Sequence, residues 1–150
     1  MRVLIQRVKS ASVVIEERVF SEIAQGLLIF LGIEDEDSQE DIDWLVGKIA
    51  RLRIFSDENQ AMNLSVQDIN ADYLVVSQFT LHANTKKGNR PSFIKAARPE
   101  KAIPLYENFV LKLEKEIGKK VATGSFGVMM DIKLTNDGPV TIWIDSKKRE

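Results

Sequence analysis

The chain has 150 residues, of which 44% are hydrophobic and 29% charged, with a formal net charge of -1. This length fits a single hydrophobic core, and we predict one domain spanning residues 1–150. No apolar run is long enough to cross a membrane, and the near-neutral charge disfavours a protein that wraps DNA through counterion release. The absence of cysteine excludes a disulfide framework, a thiolate nucleophile and a Cys-based metal site.

The first part of the chain is typical of β-structure. Residues 3–8 and 11–20 are rich in β-branched side chains, and the polar Glu16-Glu17-Arg18 predicts a hairpin turn. Because the strand pattern starts at the first residues, it leaves no room for a signal peptide, and we expect a cytoplasmic protein. Leu27–Leu31 is a fully apolar run between two glycines, which predicts a buried core strand.

Two stretches have the apolar spacing of amphipathic helices. The first follows Asp37 or Ser38 as its cap, and its core face comprises Ile42, Leu45, Val46, Ile49 and Leu52. Between the helices, residues 53–56 are predicted to be extended and to return through Met62 and Leu64. The second helix is predicted to start at Pro99 and stop at Gly118, with a core face of Ala102, Leu105, Tyr106, Phe109, Val110, Leu113 and Ile117.

The stretch Tyr73–Leu81 combines a core strand with hydrogen-bonding side chains. Leu74–Val76 predicts a central strand buried on both sides. Strand alternation would place Ser77 and Phe79 on one face of the strand. It would place Gln78 and Thr80 on the other face. Polar groups at the end of a buried strand need partners or face a cleft. Both a backbone-satisfied strand end and a functional site therefore remain open.

The loop that follows, Ala83–Pro91, carries the cations Lys86, Lys87 and Arg90. Next to a cleft, such a loop is able to hold a phosphate, and the alternative is a solvated loop.

The C-terminal part returns to β-structure. Gly124-Ser125-Phe126-Gly127 contains two glycines, which permit positive φ or a close approach of ligand to backbone. Alternating apolar residues at 128–134 and 140–144 predict two strands joined by a tight hairpin connection at Asn136–Pro139. Proline is unusual in such a connection because it cannot donate a ladder hydrogen bond.

Several common catalytic systems are disfavoured. His82 is the only histidine, and no Gly-x-Ser-x-Gly elbow accompanies it, which argues against a Ser-His-Asp triad. Zinc sites usually take several His or Cys ligands, so we expect neither a metal nor another cofactor.

Two motifs resemble those of the D-aminoacyl-tRNA deacylases, enzymes that remove D-amino acids from tRNA. These are Ser77-Gln78-Phe79-Thr80-Leu81 and Asn136-Asp137-Gly138-Pro139-Val140-Thr141. Supporting matches lie at residues 4–8, 53–57, 90–93 and 123–127, so the resemblance covers essentially the whole chain. Val128 departs from the family, in which a smaller residue is common at this position.

The resemblance implies an α/β fold with a barrel-like, largely antiparallel sheet and two helices. It also implies a homodimer with active sites at the subunit interface. The activity would be hydrolysis of the ester between a D-amino acid and the 3′-terminal adenosine of tRNA, a chiral proofreading reaction that also removes glycine. The implied partners are the aminoacylated tRNA 3′ end and a second copy, with no membrane and no DNA. The alternative is a non-catalytic dimeric module that binds nucleotides or DNA.

The resemblance also assigns the site residues. The reacting ester would be lined by Ser77, Gln78, Phe79 and Thr80. Gly138 and Pro139 would form a cis peptide that enters the pocket of the other subunit and sets chirality, with Arg7 supporting it. The adenosine would lie near Phe126, Gly127 and Met130.

An aminoacyl ester is already activated, so its hydrolysis needs chiefly a positioned water and a donor for the developing oxyanion. Backbone N–H groups of Phe79 or Thr80 fit that task. Thr80 is either a nucleophile or a positioning group, and the lack of an adjacent base favours positioning, with help from the ribose 2′-hydroxyl.

Overall fold

The computed structural model describes residues 1–150 as a mixed six-stranded sheet, curved into a nearly closed barrel, with a two-stranded ribbon and two α-helices. The elements in chain order are β1 Arg2–Ile15, β2 Arg18–Ile23, β3 Gly26–Gly32, α1 Gln39–Ala50, β4 Phe55–Ser56, β5 Met62–Leu64, β6 Asp72–Ser77, a 3-10 helix Phe79–His82, α2 Pro99–Ile117, β7 Ala122–Thr123 and β8 Asp131–Asp145. The architecture confirms the predicted fold class.

The first strand organises the sheet because both of its edges are paired. β3 pairs antiparallel with residues 2–8 of β1 and β2 with residues 11–15, while β8 pairs antiparallel along the other edge. The predicted hairpin between β1 and β2 is confirmed. Glu16 and Glu17 form its turn with φ values of 48° and 63°, as a two-residue turn with positive φ at both positions requires.

The two apolar runs form the parallel centre of the sheet. β6 pairs parallel with β3 from Gly26↔Asp72 to Leu31↔Ser77, and β7 continues the parallel pairing on the other side of β6. Leu27–Ile29 and Leu74–Val76 are buried, which confirms the prediction of core strands. The predicted ribbon is also present, as the pairing of β4 with β5.

Both helices begin and end close to their predicted bounds. Ser38 caps α1, and its backbone N–H donates to the Asp41 carboxylate at 2.9 Å. α2 begins at Pro99 and ends before Gly118, whose φ of 70° suits a glycine cap. Their apolar faces join one core cluster with β1, β3 and β6. Neither helix has the length and apolar character needed to cross a membrane.

The predicted C-terminal hairpin is wrong. β8 runs in one direction through residues 131–145 and pairs with β1 from Asp131↔Val14 to Asp145↔Arg2. Between the pairs Asn136↔Val8 and Thr141↔Gln6, residues 137–140 stand opposite Arg7 alone. The Asn136–Pro139 segment is therefore a wide bulge in a single strand.

The predicted alternation across residues 77–80 is also wrong. β6 ends at Ser77, and Phe79–His82 turns into the 3-10 helix. The strand ends there because the chain has reached the end of its partner β3, which closes at Gly32.

Candidate active site

A cavity of about 380 Å³ opens at the carboxyl end of β6. Its wall contains the predicted site residues Ser77, Gln78, Phe79, Phe126, Gly127 and Met130. The remaining lining residues are Leu31, Ile33, Val76, Ala97, Ala102, Val128, Met129 and Ile132. No lining residue has a side chain that ionises, so the cavity is apolar and uncharged.

The strand end is fixed by one hydrogen bond beyond the sheet. The Gln78 N–H donates to the Leu31 carbonyl at 2.8 Å, which extends the link between β6 and β3. The Gln78 carbonyl then accepts from the Leu81 N–H at 3.3 Å and starts the 3-10 helix. The first N–H groups of a helix have no partner within it. The N–H groups of Phe79 and Thr80 are therefore free to serve a ligand at the cavity wall.

Thr80 follows the lining residue Phe79 in the chain but does not itself line the cavity. The Gln78 side-chain amide donates to the Thr80 hydroxyl oxygen at 2.6 Å, and both side chains are at least partly exposed. Since the threonine oxygen accepts this bond, its own proton remains available for donation. No carboxylate or imidazole contacts Thr80 to act as a base, so the geometry suits a positioning group better than a nucleophile.

Gly32 and Arg2 contact the 3-10 helix and hold it in place. Neither residue was identified from the sequence. A Cβ atom on Gly32 would lie 2.9 Å from the Leu81 Cβ and 3.0 Å from the Gln78 carbonyl oxygen. Arg2 donates to the Leu81 carbonyl at 3.0 Å and to the Asp145 carboxylate at 2.9 Å. The only signal for Gly32 in the sequence is its position at the end of an apolar run.

His82, the last residue of the 3-10 helix, is buried and does not line the cavity. Its Nδ1 lies 3.8 Å from a Glu34 carboxylate oxygen. Burial lowers the pKa of His82 below its usual range, because the charged ring loses hydration, so the ring is neutral near pH 7. Because the His82 ring is enclosed and does not line the cavity, it does not contact a ligand bound there.

The loop Gly124–Gly127 supplies Phe126 and Gly127 to the cavity wall. The Phe126 ring packs edge-on against Tyr106 at 5.9 Å between centroids, and the Tyr106 hydroxyl donates to the Val75 carbonyl at 2.8 Å. Burial raises the pKa of Tyr106 to about 12, so this hydroxyl stays neutral. Gly127 has a φ of 75°, a conformation that favours glycine. The loop thus brings an aromatic face and bare backbone to the cavity.

Arg7, Gly138 and Pro139 form a second cluster, outside the cavity wall. The buried Arg7 guanidinium donates to the Asp137 carbonyl at 3.1 Å and to the Ile54 carbonyl at 2.6 Å, and it lies 3.2 Å from the Asp137 carboxylate. Gly138-Pro139 is a cis peptide, Gly138 has a φ of 124°, and both residues are exposed. The structure therefore brings Arg7 to the Gly-Pro bulge and leaves that bulge apart from the cavity of its own chain.

A model of the D-Tyr-tRNA(Tyr) deacylase family matches residues 4–145. This range includes the residues that line the cavity and the cluster of Arg7, Gly138 and Pro139. The chain belongs to this family. Among its deacylase relatives, the D-aminoacyl-tRNA deacylase of Flavobacterium johnsoniae is 65% identical and that of Bacteroides thetaiotaomicron 56% identical, each over 100% of both chains.

Solved structures give the same deacylase fold. A protein named c-Myc DNA Unwinding Element Binding Protein is 39% identical, with a TM-score of 0.90 over 97% of this chain and 98% of its own. A probable eukaryotic D-amino acid tRNA deacylase has a TM-score of 0.81 over 95% of this chain and 97% of its own, at 18% identity. The latter likeness concerns the fold alone.

Gly32→Ala should impair deacylation more than it impairs folding. The added methyl group would push the 3-10 helix by a few tenths of an ångström, and since a misplacement of about 1 Å costs about a hundredfold, we expect kcat/KM to fall by about tenfold. The free energy of unfolding should fall by only about 1–3 kcal/mol. Deacylation kinetics and urea denaturation measure the two effects.

Gly47→Ala is the matched control, since its methyl group would meet only the flexible end of the Arg51 side chain. It should leave kcat/KM unchanged. A folded Gly32→Ala protein with wild-type kcat/KM would show that the 3-10 helix does not position the reacting groups.

Proposed function

We propose that this protein hydrolyses the ester between a D-amino acid and the 3′-terminal adenosine of tRNA, and that it also removes glycine from mischarged tRNA. The uncharged cavity at the end of β6 is the observation that carries the proposal, because it joins the Ser77–Phe79 wall to the Phe126-Gly127 loop. Support comes from relatives named D-aminoacyl-tRNA deacylase that are up to 65% identical over the full chain. A function on tRNA fits a cytoplasmic protein.

The cavity suits a nucleoside with a small acyl group. Its volume lies within the range of about 300–1,000 Å³ typical of ligand pockets, and apolar walls with few polar groups are the usual lining. The Phe126 ring and the thioether of Met130 line the cavity and would offer surfaces for the adenine, and Gln78 with the adjacent N–H groups would face the ester. Ribose and amino acid would then lie at the 3-10 helix.

The chemistry follows from the uncharged wall. Water adds to the ester carbonyl carbon, the bond to the ribose oxygen breaks, and the water proton passes to that leaving oxygen by way of the neighbouring 2′-hydroxyl. The Phe79 and Thr80 N–H groups would donate to the oxyanion that forms during this step. Removing one such donor typically costs about a hundredfold to a thousandfold in rate.

Selectivity for D over L esters requires that the site reject the L side chain rather than attract the D side chain. A pocket that favours an apolar group gains only about 1–3 kcal/mol for it. A ten-thousand-fold preference needs about 5.5 kcal/mol, which steric exclusion is able to supply. We assign this exclusion to the backbone of Gly138 and Pro139, which would occupy the space of an L side chain. Glycine, which has no side chain, would escape rejection.

The exclusion requires a homodimer. Gly138 and Pro139 are exposed and do not line the cavity of their own chain, so a second copy must supply them to the site. Arg7 fits a supporting role, because its bonds to Asp137 and Ile54 hold the base of the bulge against the residue that precedes β4.

A non-catalytic module that binds nucleotides or DNA is the alternative, and the name of one solved relative mentions a DNA element. Both functions use the same cavity and the same dimer. Only the deacylase requires residues Ser77–Thr80 to orient an ester, so turnover separates the two functions.

The deciding assay incubates the purified protein with D-tyrosyl-tRNA, L-tyrosyl-tRNA and glycyl-tRNA and measures released amino acid. We expect the D and glycyl esters to be cleaved and the L ester to be spared by about ten-thousand-fold, as exclusion by a backbone wall requires. Binding of all three without release would favour the alternative. Cleavage of the D ester with full resistance of glycyl-tRNA would argue against exclusion as the source of chirality.

Thr80→Ala should lower kcat by about tenfold to a hundredfold without abolishing turnover, because it removes a positioning hydrogen bond rather than a nucleophile. Single-turnover rates with D-tyrosyl-tRNA measure the loss. Thr80→Ser retains the hydroxyl and should recover most of the rate. An acyl-enzyme trapped on Thr80, or activity at background in the alanine variant, would identify a nucleophile instead.

Subunit mixing tests the shared site. The pocket variant carries Gln78→Ala and Thr80→Ala, and the bulge variant carries Gly138→Ala, whose Cβ would lie 2.8 Å from the Arg7 guanidinium in a backbone of φ 124°. Each should be impaired alone. Random re-association of the two should restore about a quarter of wild-type activity, because each mixed dimer regains one complete site.

Light scattering before mixing should show dimers. A fully active monomer, or mixed dimers no more active than the average of their parents, would contradict a site shared between subunits.

A further inference from the structure

The chain from Tyr73 to Pro99 contains Lys86, Lys87, Arg90, Lys95 and Arg98 but no aspartate or glutamate. The protein as a whole has a formal charge of -1, so the rest of the chain is acidic in balance. The positive charge is thus concentrated in the segment that follows the Ser77–Thr80 motif. We call residues 84–98 the cationic segment.

The charges of this segment are uncompensated. All the cations of the segment are exposed, and none of them takes part in an ion pair. Elsewhere, cations such as Lys119 and Lys147 pair with Asp72 and Asp41 at 2.7 and 2.9 Å. Unpaired surface cations in one segment create a positive potential that attracts a polyanion.

The segment is attached to the cavity through Phe93 and Ala97. Asn84 and Ser92 exchange two backbone hydrogen bonds, of 2.8 and 3.0 Å, which close the loop that carries Lys86, Lys87 and Arg90. Phe93 then packs edge-on against Phe79, with ring centroids 5.1 Å apart. The Ala97 N–H donates to the Ile33 carbonyl at 2.9 Å, and Ala97 and Ile33 both line the cavity. A polyanion on the segment therefore lies beside the cavity.

We propose that the cationic segment binds backbone phosphates of the tRNA acceptor stem while the 3′ adenosine occupies the cavity. This inference rests on the proposed deacylase function and extends it from the terminal nucleoside to the RNA helix that carries it. Lysine and arginine contacts to phosphate fix position and register without reading sequence. A-form RNA is recognised mainly through its shape, its phosphates and its 2′-hydroxyls. The segment therefore serves the acceptor stems of different tRNAs alike.

The first test measures binding, independently of turnover. The segment variant carries Lys86→Ala, Lys87→Ala and Arg90→Ala. The probe is an RNA minihelix that has the acceptor-stem sequence and its single-stranded 3′ end and carries no amino acid. The control variant carries Arg18→Ala, Lys115→Ala and Lys148→Ala, which removes the same charge from exposed residues elsewhere in the chain that form no ion pair. Fluorescence anisotropy across a salt series gives the dissociation constants.

The wild type and the control should bind the minihelix alike, and the segment variant should bind at least tenfold more weakly. For the segment variant, the slope of log K against log salt concentration should be smaller in magnitude by about 2 to 3 units. Each lost phosphate contact removes slightly less than one unit of this slope. Equal weakening in the control would show a general charge effect and overturn the proposal. Equal affinity for a DNA duplex of the same sequence would also overturn it and identify a general nucleic-acid surface.

The second test compares D-tyrosyl-tRNA with D-tyrosyl adenosine, an ester that lacks the acceptor stem. The ratio of kcat/KM between these two substrates should fall about tenfold to a hundredfold in the segment variant, mainly through KM for the tRNA. An unchanged ratio would overturn the proposal. Failure of the wild type to cleave either ester would refute the deacylase function instead, and the minihelix result would still decide whether the segment binds RNA.

Discussion

The pairing of β1 along both of its edges is the constraint on which the rest of the structure depends. On one edge it holds β3, whose parallel partner β6 ends at the cavity, and on the other it holds β8 with the Gly-Pro bulge. The register of a 14-residue strand therefore sets where both parts of the candidate site lie. A slip by one residue would exchange the two faces of β1 and remove Val3 and Ile5 from the core cluster that they share with the helices.

Arg7 shows how this strand connects the core to the bulge. A buried guanidinium is costly unless its donors are satisfied, and here they reach a carbonyl and a carboxylate of Asp137 and the carbonyl of Ile54, the residue before β4. The Asn136 amide closes the bulge from the other side by donating to the carbonyls of Arg7 and Val140 at 3.2 and 3.0 Å. The bulge is thus held by bonds to its own chain, while its tip remains exposed.

Local pattern was sufficient to predict the core elements and insufficient to predict direction. The apolar runs of β3 and β6 and the Pro99 and Gly118 bounds of α2 are signals within short windows, and the structure agrees with them. The alternation on either side of Asn136–Pro139 is the same whether the chain turns back or bulges, because a period of two carries no information on strand direction. Only the pairing with β1 distinguishes the two arrangements.

The candidate site divides in the same way. The motif at Ser77–Thr80 was visible in the sequence, and so was the Phe126-Gly127 loop, since each is a short run of unusual residue types. The supports of the 3-10 helix were not, because Arg2 reaches the Leu81 carbonyl across 79 positions of sequence and Gly32 acts by having no side chain. Contacts between distant segments leave no local pattern to read.

The distribution of charge separates binding from chemistry. A cavity without ionisable side chains avoids the cost of desolvating protein charges when a nucleoside binds in it. The charge of its wall also stays constant near neutral pH, because no lining side chain titrates there. Such a cavity exerts no long-range attraction on a polyanion. The cationic segment supplies that attraction from outside, and Phe93 and Ala97 link it to the wall. Because its cations are exposed and screened by salt, they attract the substrate without bringing charge to the ester.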